Sequence, residues 1–127
     1  MRPHEKLDVY QLAHQLAVQV HRLSLQLPRF EIYEQASQVR RSSKSVSAQI
    51  VEGHALRNYP KDYIRFLHRA YASAEESIEH IRLLLETASA SDHSTEWLEL
   101  SSEYETLCRK LYNYTSVVMR RTSETGS

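Results

Sequence analysis

The sequence has little of what builds tight turns, crosslinks or membrane spans. Its 127 residues include two glycines, three prolines and one cysteine. Because the many turns of an all-β fold need glycine and proline, their scarcity favours an all-α domain. The single thiol excludes an internal disulfide and suits the reducing cytosol. No run approaches the roughly 18 consecutive apolar residues of a membrane span. No signal peptide is evident, so we expect a cytoplasmic protein.

The formal net charge of the chain is zero, although its charges are unevenly distributed along the sequence. The chain has 16 basic and 16 acidic side chains. Residues 40–69 hold seven basic and two acidic side chains, whereas residues 70–105 hold one basic and nine acidic. Such separation indicates surfaces of opposite sign that pair with nucleic acid, with each other or between subunits.

Apolar residues recur three and four positions apart in four segments, which predicts four helices. Gly53, the only glycine outside the C-terminal tail, predicts the end of the second helix through a left-handed cap. Short connections favour one antiparallel up-down-up-down four-helix bundle over residues 1–121, followed by a disordered tail over residues 122–127. The predicted helices are 8–27, 33–53, 60–90 and 94–121.

Two of these helices carry more apolar residues than one core face needs. Eleven of the nineteen residues from Val9 to Leu27 are apolar. Because exposed apolar patches usually mark protein interfaces, we expect self-association, with scattered surface leucines as the alternative. The third helix shows the same excess at Leu67, Tyr71, Leu83 and Leu84.

The second and third predicted helices also carry an ordered set of residues that resembles a known family. The family is that of bacterial four-helix-bundle proteins named for intervening sequences of 23S ribosomal RNA genes. The start of the chain, Leu7-Asp8-Val9-Tyr10-Gln11-x-Ala13, is similar to the N-terminal pattern of that family. The chain departs from the family at Ser42, Gln49 and Val51, where Ala, Asn and Ala are typical. The matching residues are Gln38, Arg40, Arg41, Ser45, Val46, Ile50, Glu52, Gly53, Phe66, Leu67, Ala70, Ser73 and Glu76.

This resemblance implies an assembly rather than a reaction. Members of the family, and the related accessory variability determinant proteins of retroelements, form ring-shaped homopentamers, so the resemblance implies a homopentamer. It also implies an association with RNA or ribonucleoprotein, and it makes Glu52, Gly53, Phe66 and Ala70 a structural motif.

Catalytic and metal-binding patterns are missing, so we expect a non-enzyme without cofactor, metal or small-molecule substrate. A di-iron bundle needs Glu-x-x-His on two helices, and no histidine here follows a glutamate by three positions. No GxGxxG, Walker or Gly-x-Ser-x-Gly motif occurs. Glu76 and His80, like His14 and His21, share a helix face as a solvated or contact pair. Seven scattered histidines are the sole support for a metal site, and Cys108 is expected to be a buried thiol.

The basic segment offers the best functional hypothesis, which is binding to nucleic acid. On the third helix, Lys61, Arg65 and Arg69 lie one turn apart, like cations that follow backbone phosphates. Tyr59, Tyr63 and Tyr71 offer rings for stacking on unpaired bases. The alternative is that the cations pair with acidic residues of the third and fourth helices, within or between subunits. The protein would then be an interaction scaffold with no nucleic-acid role. The candidate cations are Arg40, Arg41, Lys44, Arg57, Lys61, Arg65 and Arg69.

Glu52 has a position that helix electrostatics disfavours. A carboxylate in the last turn of a helix opposes the macrodipole. We therefore expect Glu52 to be buried, and to accept hydrogen bonds from the first N–H groups of the third helix or to pair with an arginine. Simple exposure is the alternative.

Overall fold

Four long helices make up most of the computed structural model, which describes residues 1–87 and 89–124. Throughout these ranges the fold is all-α, without a strand. None of the helices within them combines the length and apolarity that crossing a bilayer requires. One-turn 3₁₀ helices, Pro3–Lys6 and Ser91–His93, precede the first and last long helices. The α-helices are α1 (Asp8–Ser24), the one-turn α2 (Arg29–Ile32), α3 (Gln35–Ala55), α4 (Pro60–Glu86) and α5 (Ser94–Glu124).

The ends of the helices differ from the predicted ends. Helix α1 ends at Ser24 rather than residue 27, and the Ser24 hydroxyl donates to the His21 carbonyl in this last turn. Helix α4 ends at Glu86 rather than residue 90. Helix α5 continues to Glu124, through the first part of the predicted disordered tail, because no glycine or proline interrupts it. The rest of that tail, residues 125–127, lies outside the described residues.

The long helices share one core, in which α1 and α4 each pack against α3 and α5. The apolar stripes that the spacing predicts for α3 and α5 are confirmed, except that Ile32 and Tyr114 of these stripes are half-buried. For α4 the spacing predicts a buried stripe that includes Phe66 and Leu85. The observed stripe lies one residue away at these points, since Leu67 and Leu84 are fully buried whereas Phe66 and Leu85 are half-buried. The expectation that Leu67 and Leu84 belong to an apolar excess on the surface is therefore wrong. Fully buried residues of α3 and α5 are Ala36, Val39, Ser43, Val46, Ile50, Trp97, Tyr104, Leu107 and Leu111.

Gly53 lies inside α3, and its predicted role as a left-handed cap is wrong. A Cβ atom at this position would stand 2.9 Å from Phe66 Cβ and 3.2 Å from Tyr63 Cδ1. Real Cβ atoms do not approach others so closely, so the missing side chain is what allows α3 and α4 to meet here. Gly53 is a packing residue between two helices.

Small residues continue this close contact along α3 and α4. Ser42 Oγ lies 2.8 Å from Ser77 Oγ, and Ser45 Oγ lies 3.0 Å from Ser73 Oγ. Ala70 of α4, three positions before Ser73, is also fully buried. The hydroxyl pairs satisfy polar groups that the contact buries. As residue numbers rise along α3, the numbers of their partners fall along α4.

The buried carboxylate of this chain is Glu31, not Glu52. The Glu31 side chain is 8% exposed. Its Oε1 accepts a hydrogen bond from the backbone N–H of Gln35 at 3.1 Å, and its Oε2 accepts one from Ser89 Oγ. Glu31 therefore caps α3 and holds the connection between α4 and α5. Glu52 is exposed, because α3 continues to Ala55 and leaves this carboxylate outside the contact with α4.

Candidate nucleic-acid interface

Two arginines of α4 are ordered by one aromatic ring. The Cζ atoms of Arg65 and Arg69 each lie 5.4 Å from the centroid of the Phe66 ring. This distance is within the roughly 6 Å at which cations are attracted to a ring face. Both arginines are exposed, while Phe66 is half-buried beside Gly53 of α3. The two guanidinium groups thus lie on the surface, one helical turn apart, and Nη2 of Arg65 also donates to Asp62 Oδ1.

The other exposed cations lie around this pair rather than in one stripe. Lys61 is in the first turn of α4, and Arg57 is in the connection before it, where Nη1 donates to the His54 carbonyl at 3.0 Å. Lys44 lines a shallow depression with His14 and His21 of α1, so it lies on the α1 side of α3. Arg65 and Arg69 lie on the α4 side, and the exposed Arg41 of α3 completes the candidate set. The predicted candidate cations therefore lie partly on the α1 side of α3 and partly on its α4 side.

Arg40 does not belong to the exposed set. It is half-buried, with Nη1 donating to Ser24 Oγ at 3.0 Å and Nη2 donating to the Ile32 carbonyl at 2.7 Å. These bonds join α3 to the end of α1 and to α2. Arg40 therefore has a structural role, which makes it a weaker candidate for a nucleic-acid contact than the exposed cations.

Most of the candidate cations have no acidic partner in the chain. Across residues 1–87 and 89–124, Arg65 alone among the seven forms an ion pair, with Asp62 Oδ1 at 3.2 Å on the same helix. Apart from Asp62, the acidic residues of α4 and α5 that the structure describes form no ion pair with these cations within one subunit. Other ion pairs join Lys110 to Asp8, Arg82 to Glu86, His80 to Glu76 and His93 to Glu96.

Comparison with known proteins places the sequence in a family. Residues 5–113 match the family described as 23S rRNA-intervening sequence protein. The chain belongs to this family. A solved structure of a protein with unknown function, from the S23 ribosomal protein family of Bacteroides thetaiotaomicron VPI-5482, has a similar fold. It shares 20% identity at a TM-score of 0.70, over 84% of this chain and 97% of that one. No curated protein matches the sequence.

The range of this intervening-sequence protein that matches the family contains all seven candidate cations. The three tyrosines that were predicted to stack on bases differ in their exposure. Tyr59 is 63% exposed and available for stacking, whereas Tyr63 is buried and Tyr71 is half-buried. The pairing of Phe66 with two arginines was missed because Phe66 was assigned to the core. The spacing of Phe66 and Arg69 was the available signal for that arginine, since side chains three positions apart on a helix are neighbours.

A groove between α1 and α5 has the opposite electrostatic character. Its volume is about 610 Å³, and Glu96, Glu99 and Glu103 of α5 line it opposite Arg22 of α1. Three carboxylates against one guanidinium repel phosphates, so this groove is not a nucleic-acid surface. Leu16 lies in its floor.

The Cys108 thiol of this intervening-sequence protein is buried and has a raised pKa. Burial, a hydrogen bond with Glu75 and the charges of Glu75 and Glu105 raise the pKa of Cys108 to about 12. A thiol with such a pKa stays neutral at physiological pH and is a poor nucleophile. Throughout the described ranges, no group of three or more histidine, cysteine or acidic side chains is arranged to hold a metal ion.

Proposed function

We propose that this intervening-sequence protein is a non-enzymatic, homo-oligomeric RNA-binding protein of the cytoplasm. The observation that carries the proposal is the ordering of Arg65 and Arg69 over Phe66, with one acidic neighbour for the two cations. Guanidinium groups bind phosphate oxygens through several N–H donors, and an ordered guanidinium loses little conformational entropy on binding. Exposed Tyr59, two residues before Lys61, supplies a ring for an unpaired base.

The names of the relatives support RNA as the ligand. The family is named for intervening sequences of 23S rRNA, and the solved structure is assigned to the S23 ribosomal protein family. Both names refer to ribosomal RNA or to the ribosome. Single-stranded RNA fits the exposed cations and Tyr59 best, because its bases are free to stack.

For the assembly, we propose an antiparallel up-down-up-down bundle that forms a ring-shaped pentamer. The opposite numbering of partners along α3 and α4 supports the antiparallel arrangement. Exposed apolar side chains at seven-residue multiples along α5, namely Leu98, Tyr112 and Met119, support contact between subunits. A ring would present several copies of the basic surface to one RNA, which raises the overall affinity.

The same α5 side chains favour a second candidate function, that of a protein-interaction scaffold without an RNA role. A formal net charge of zero agrees with it, since nucleic-acid-binding domains are usually basic. In that case the exposed cations would pair with acidic residues of a neighbouring subunit or partner.

Fluorescence anisotropy with a short single-stranded RNA over a series of salt concentrations tests the proposal. We expect the double variant Arg65→Gln/Arg69→Gln to bind at least about tenfold more weakly at low salt, because two charge-assisted hydrogen bonds to phosphate are removed. Its plot of log affinity against log salt should be shallower by about 1.4, at roughly 0.7 for each single-strand phosphate that is no longer neutralised.

The matched control is Arg82→Gln, which removes an exposed α4 cation that is already paired with Glu86 at 3.1 Å. We expect this variant to bind RNA like the wild type. Wild-type protein that retains no RNA at low salt would contradict the RNA proposal and favour the scaffold.

A further inference from the structure

A second cationic site lies where the connection between α3 and α4 meets the last turns of α5. It is a pocket of about 400 Å³, within the roughly 300–1,000 Å³ of small-ligand sites. None of the described residues that line it is acidic. The lining side chains that matter here are His54, Arg57, Tyr63, Tyr114, Val118 and Arg121.

Two arginines from separate elements converge on this pocket. Arg57 comes from the connection and Arg121 from the C-terminal part of α5, and the charges of both act on the Tyr63 hydroxyl. Neither arginine has an ion-pair partner among residues 1–87 and 89–124. Two unneutralised guanidinium groups around one concave surface form a site for an anion.

A pair of tyrosines provides uncharged donors in the same pocket. The hydroxyl oxygens of Tyr63 and Tyr114 are 2.6 Å apart. Burial and the hydrogen bond to Tyr114 raise the pKa of Tyr63, so the hydroxyl stays protonated at physiological pH. One hydroxyl donates to the other, and the accepting hydroxyl keeps its own proton as a donor.

His54 contributes a neutral ring to the pocket. Burial, with the nearby charges of Arg57 and His4, lowers the pKa of His54, so its imidazole is neutral at pH 7. The ring meets Tyr63 edge-on at a centroid distance of 6.0 Å. The positive charge of the pocket therefore comes from its two arginines, while His54, Tyr63 and Val118 offer flat or apolar surface for a sugar or base.

We propose that this pocket binds a phosphate monoester, carried either by the end of an RNA strand or by a free nucleotide. A monoester bears close to two negative charges near neutral pH, matching two guanidinium groups, whereas an internal phosphodiester bears one. The RNA-end form of this proposal rests on the proposed function, whereas the free-nucleotide form does not.

The full-length protein is tested with three single-stranded RNAs of one sequence, ending in a 5′-phosphate, a 3′-phosphate or hydroxyls only. Adenosine 5′-monophosphate is titrated separately by calorimetry. We expect a terminal phosphate to raise RNA affinity about tenfold, the effect of one charge-assisted contact. We expect Arg121→Gln to abolish this difference between phosphate and hydroxyl ends, and to abolish nucleotide binding.

The control is Arg120→Gln, which removes the neighbouring exposed arginine that does not line the pocket. This variant should keep the preference for a terminal phosphate. Equal affinity for all three RNAs, together with no nucleotide binding, overturns the pocket proposal and leaves the RNA surface at Arg65 and Arg69 standing. Nucleotide binding that Arg121→Gln abolishes, without RNA binding, supports the pocket and overturns the RNA function. A phosphate preference that survives in Arg121→Gln overturns the assignment to this pocket.

Discussion

Gly53 determines how closely α3 and α4 approach. The space that its side chain would fill is taken by Phe66 Cβ, at 2.9 Å from the position of a Cβ on Gly53. That atom is attached directly to the backbone of α4, so it cannot swing away like the end of a long side chain. The need for this contact explains why α3 keeps a residue that weakens a helix interior by about 1 kcal/mol relative to alanine.

We expect Gly53→Ala to lower the free energy of unfolding by about 1–2 kcal/mol, because overpacking outweighs the better helix propensity of alanine. Urea denaturation measures the change. The control is Ala48→Gly, at an exposed interior position of α3, which should cost about 1 kcal/mol through propensity alone. A Gly53→Ala protein more stable than the wild type would show that the contact with Phe66 is easily relieved.

The sequence identified Gly53 as special but gave the wrong reason. An isolated glycine in a helical pattern has two common uses, a left-handed cap and a close helix contact, and periodicity does not separate them. The deciding partner, Phe66, is distant in sequence. Arg40 shows the same limit, because one of its acceptors is the Ile32 backbone carbonyl, which no side-chain pattern reveals.

The buried Glu31 carboxylate stabilises two connections at once. We expect Glu31→Ala to lower the free energy of unfolding by about 1–3 kcal/mol, since it leaves the Gln35 N–H and the Ser89 hydroxyl without their acceptor. Thermal and urea unfolding both report this loss. The control Glu52→Ala removes an exposed carboxylate and should stay within about 0.5 kcal/mol of the wild type. Equal losses for both variants would refute the distinction between the two carboxylates.

Helix α3 is joined to its neighbours in two different ways. Towards α4 it presents small residues, with the Ser42–Ser77 hydroxyl pair inside the contact. Towards the end of α1 and α2 it sends the long side chain of Arg40. The existence of the four long helices was predictable from apolar spacing alone, whereas the one-turn α2 was not predicted. The ends and the contacts of the long helices were not predictable, because these depend on single hydrogen bonds between elements distant in sequence.

Two adjacent arginines of α3, Arg40 and Arg41, allow an effect on stability to be distinguished from an effect on RNA binding. We expect Arg40→Met to lower the free energy of unfolding by about 1–3 kcal/mol, because two hydrogen bonds from a charged group are removed, and to leave RNA affinity unchanged. Arg41→Met should show the reverse, with unchanged stability and weaker RNA binding at low salt. Denaturation and anisotropy on the same two proteins measure both effects. Weaker RNA binding by a folded Arg40→Met protein would contradict the structural role of Arg40.

For the molecule as a whole, exposed apolar surface lies on α5 and at only part of the positions where the sequence placed it. Leu98, Tyr112 and Met119 of α5 are exposed, as are the predicted Leu25 and Leu83, whereas Leu67 and Leu84 of α4 fill the core. A register difference of one residue in α4 accounts for the last two, because it rotates these leucines from the flank of the helix into the core. The sequence therefore showed that apolar residues are in excess, but located the exposed ones only in part.

We expect light scattering of the wild type to give about five times the mass of one chain. Leu98→Glu/Tyr112→Glu should lower this mass, because it places two charges in the α5 contact that we propose between subunits. The control is Leu25→Glu, at an exposed leucine just after α1. A wild-type monomer at micromolar concentration would contradict the ring. A mass unchanged in the double variant would move the contact to another surface.

The groove between α1 and α5 indicates which helix separates from the bundle most easily. There the facing side chains are long and polar, such as Gln19, Glu99 and Glu103, in contrast to the serines and alanines that join α3 to α4. Helix α1 also meets α3 and α5 over fewer residue pairs than α4 meets these two helices. Local opening follows the weakest contacts, so the amide protons of α1 should exchange with solvent before those of α3 and α4. Helix α1 would open locally while α3 and α4, which are in close contact at Gly53, remain packed together.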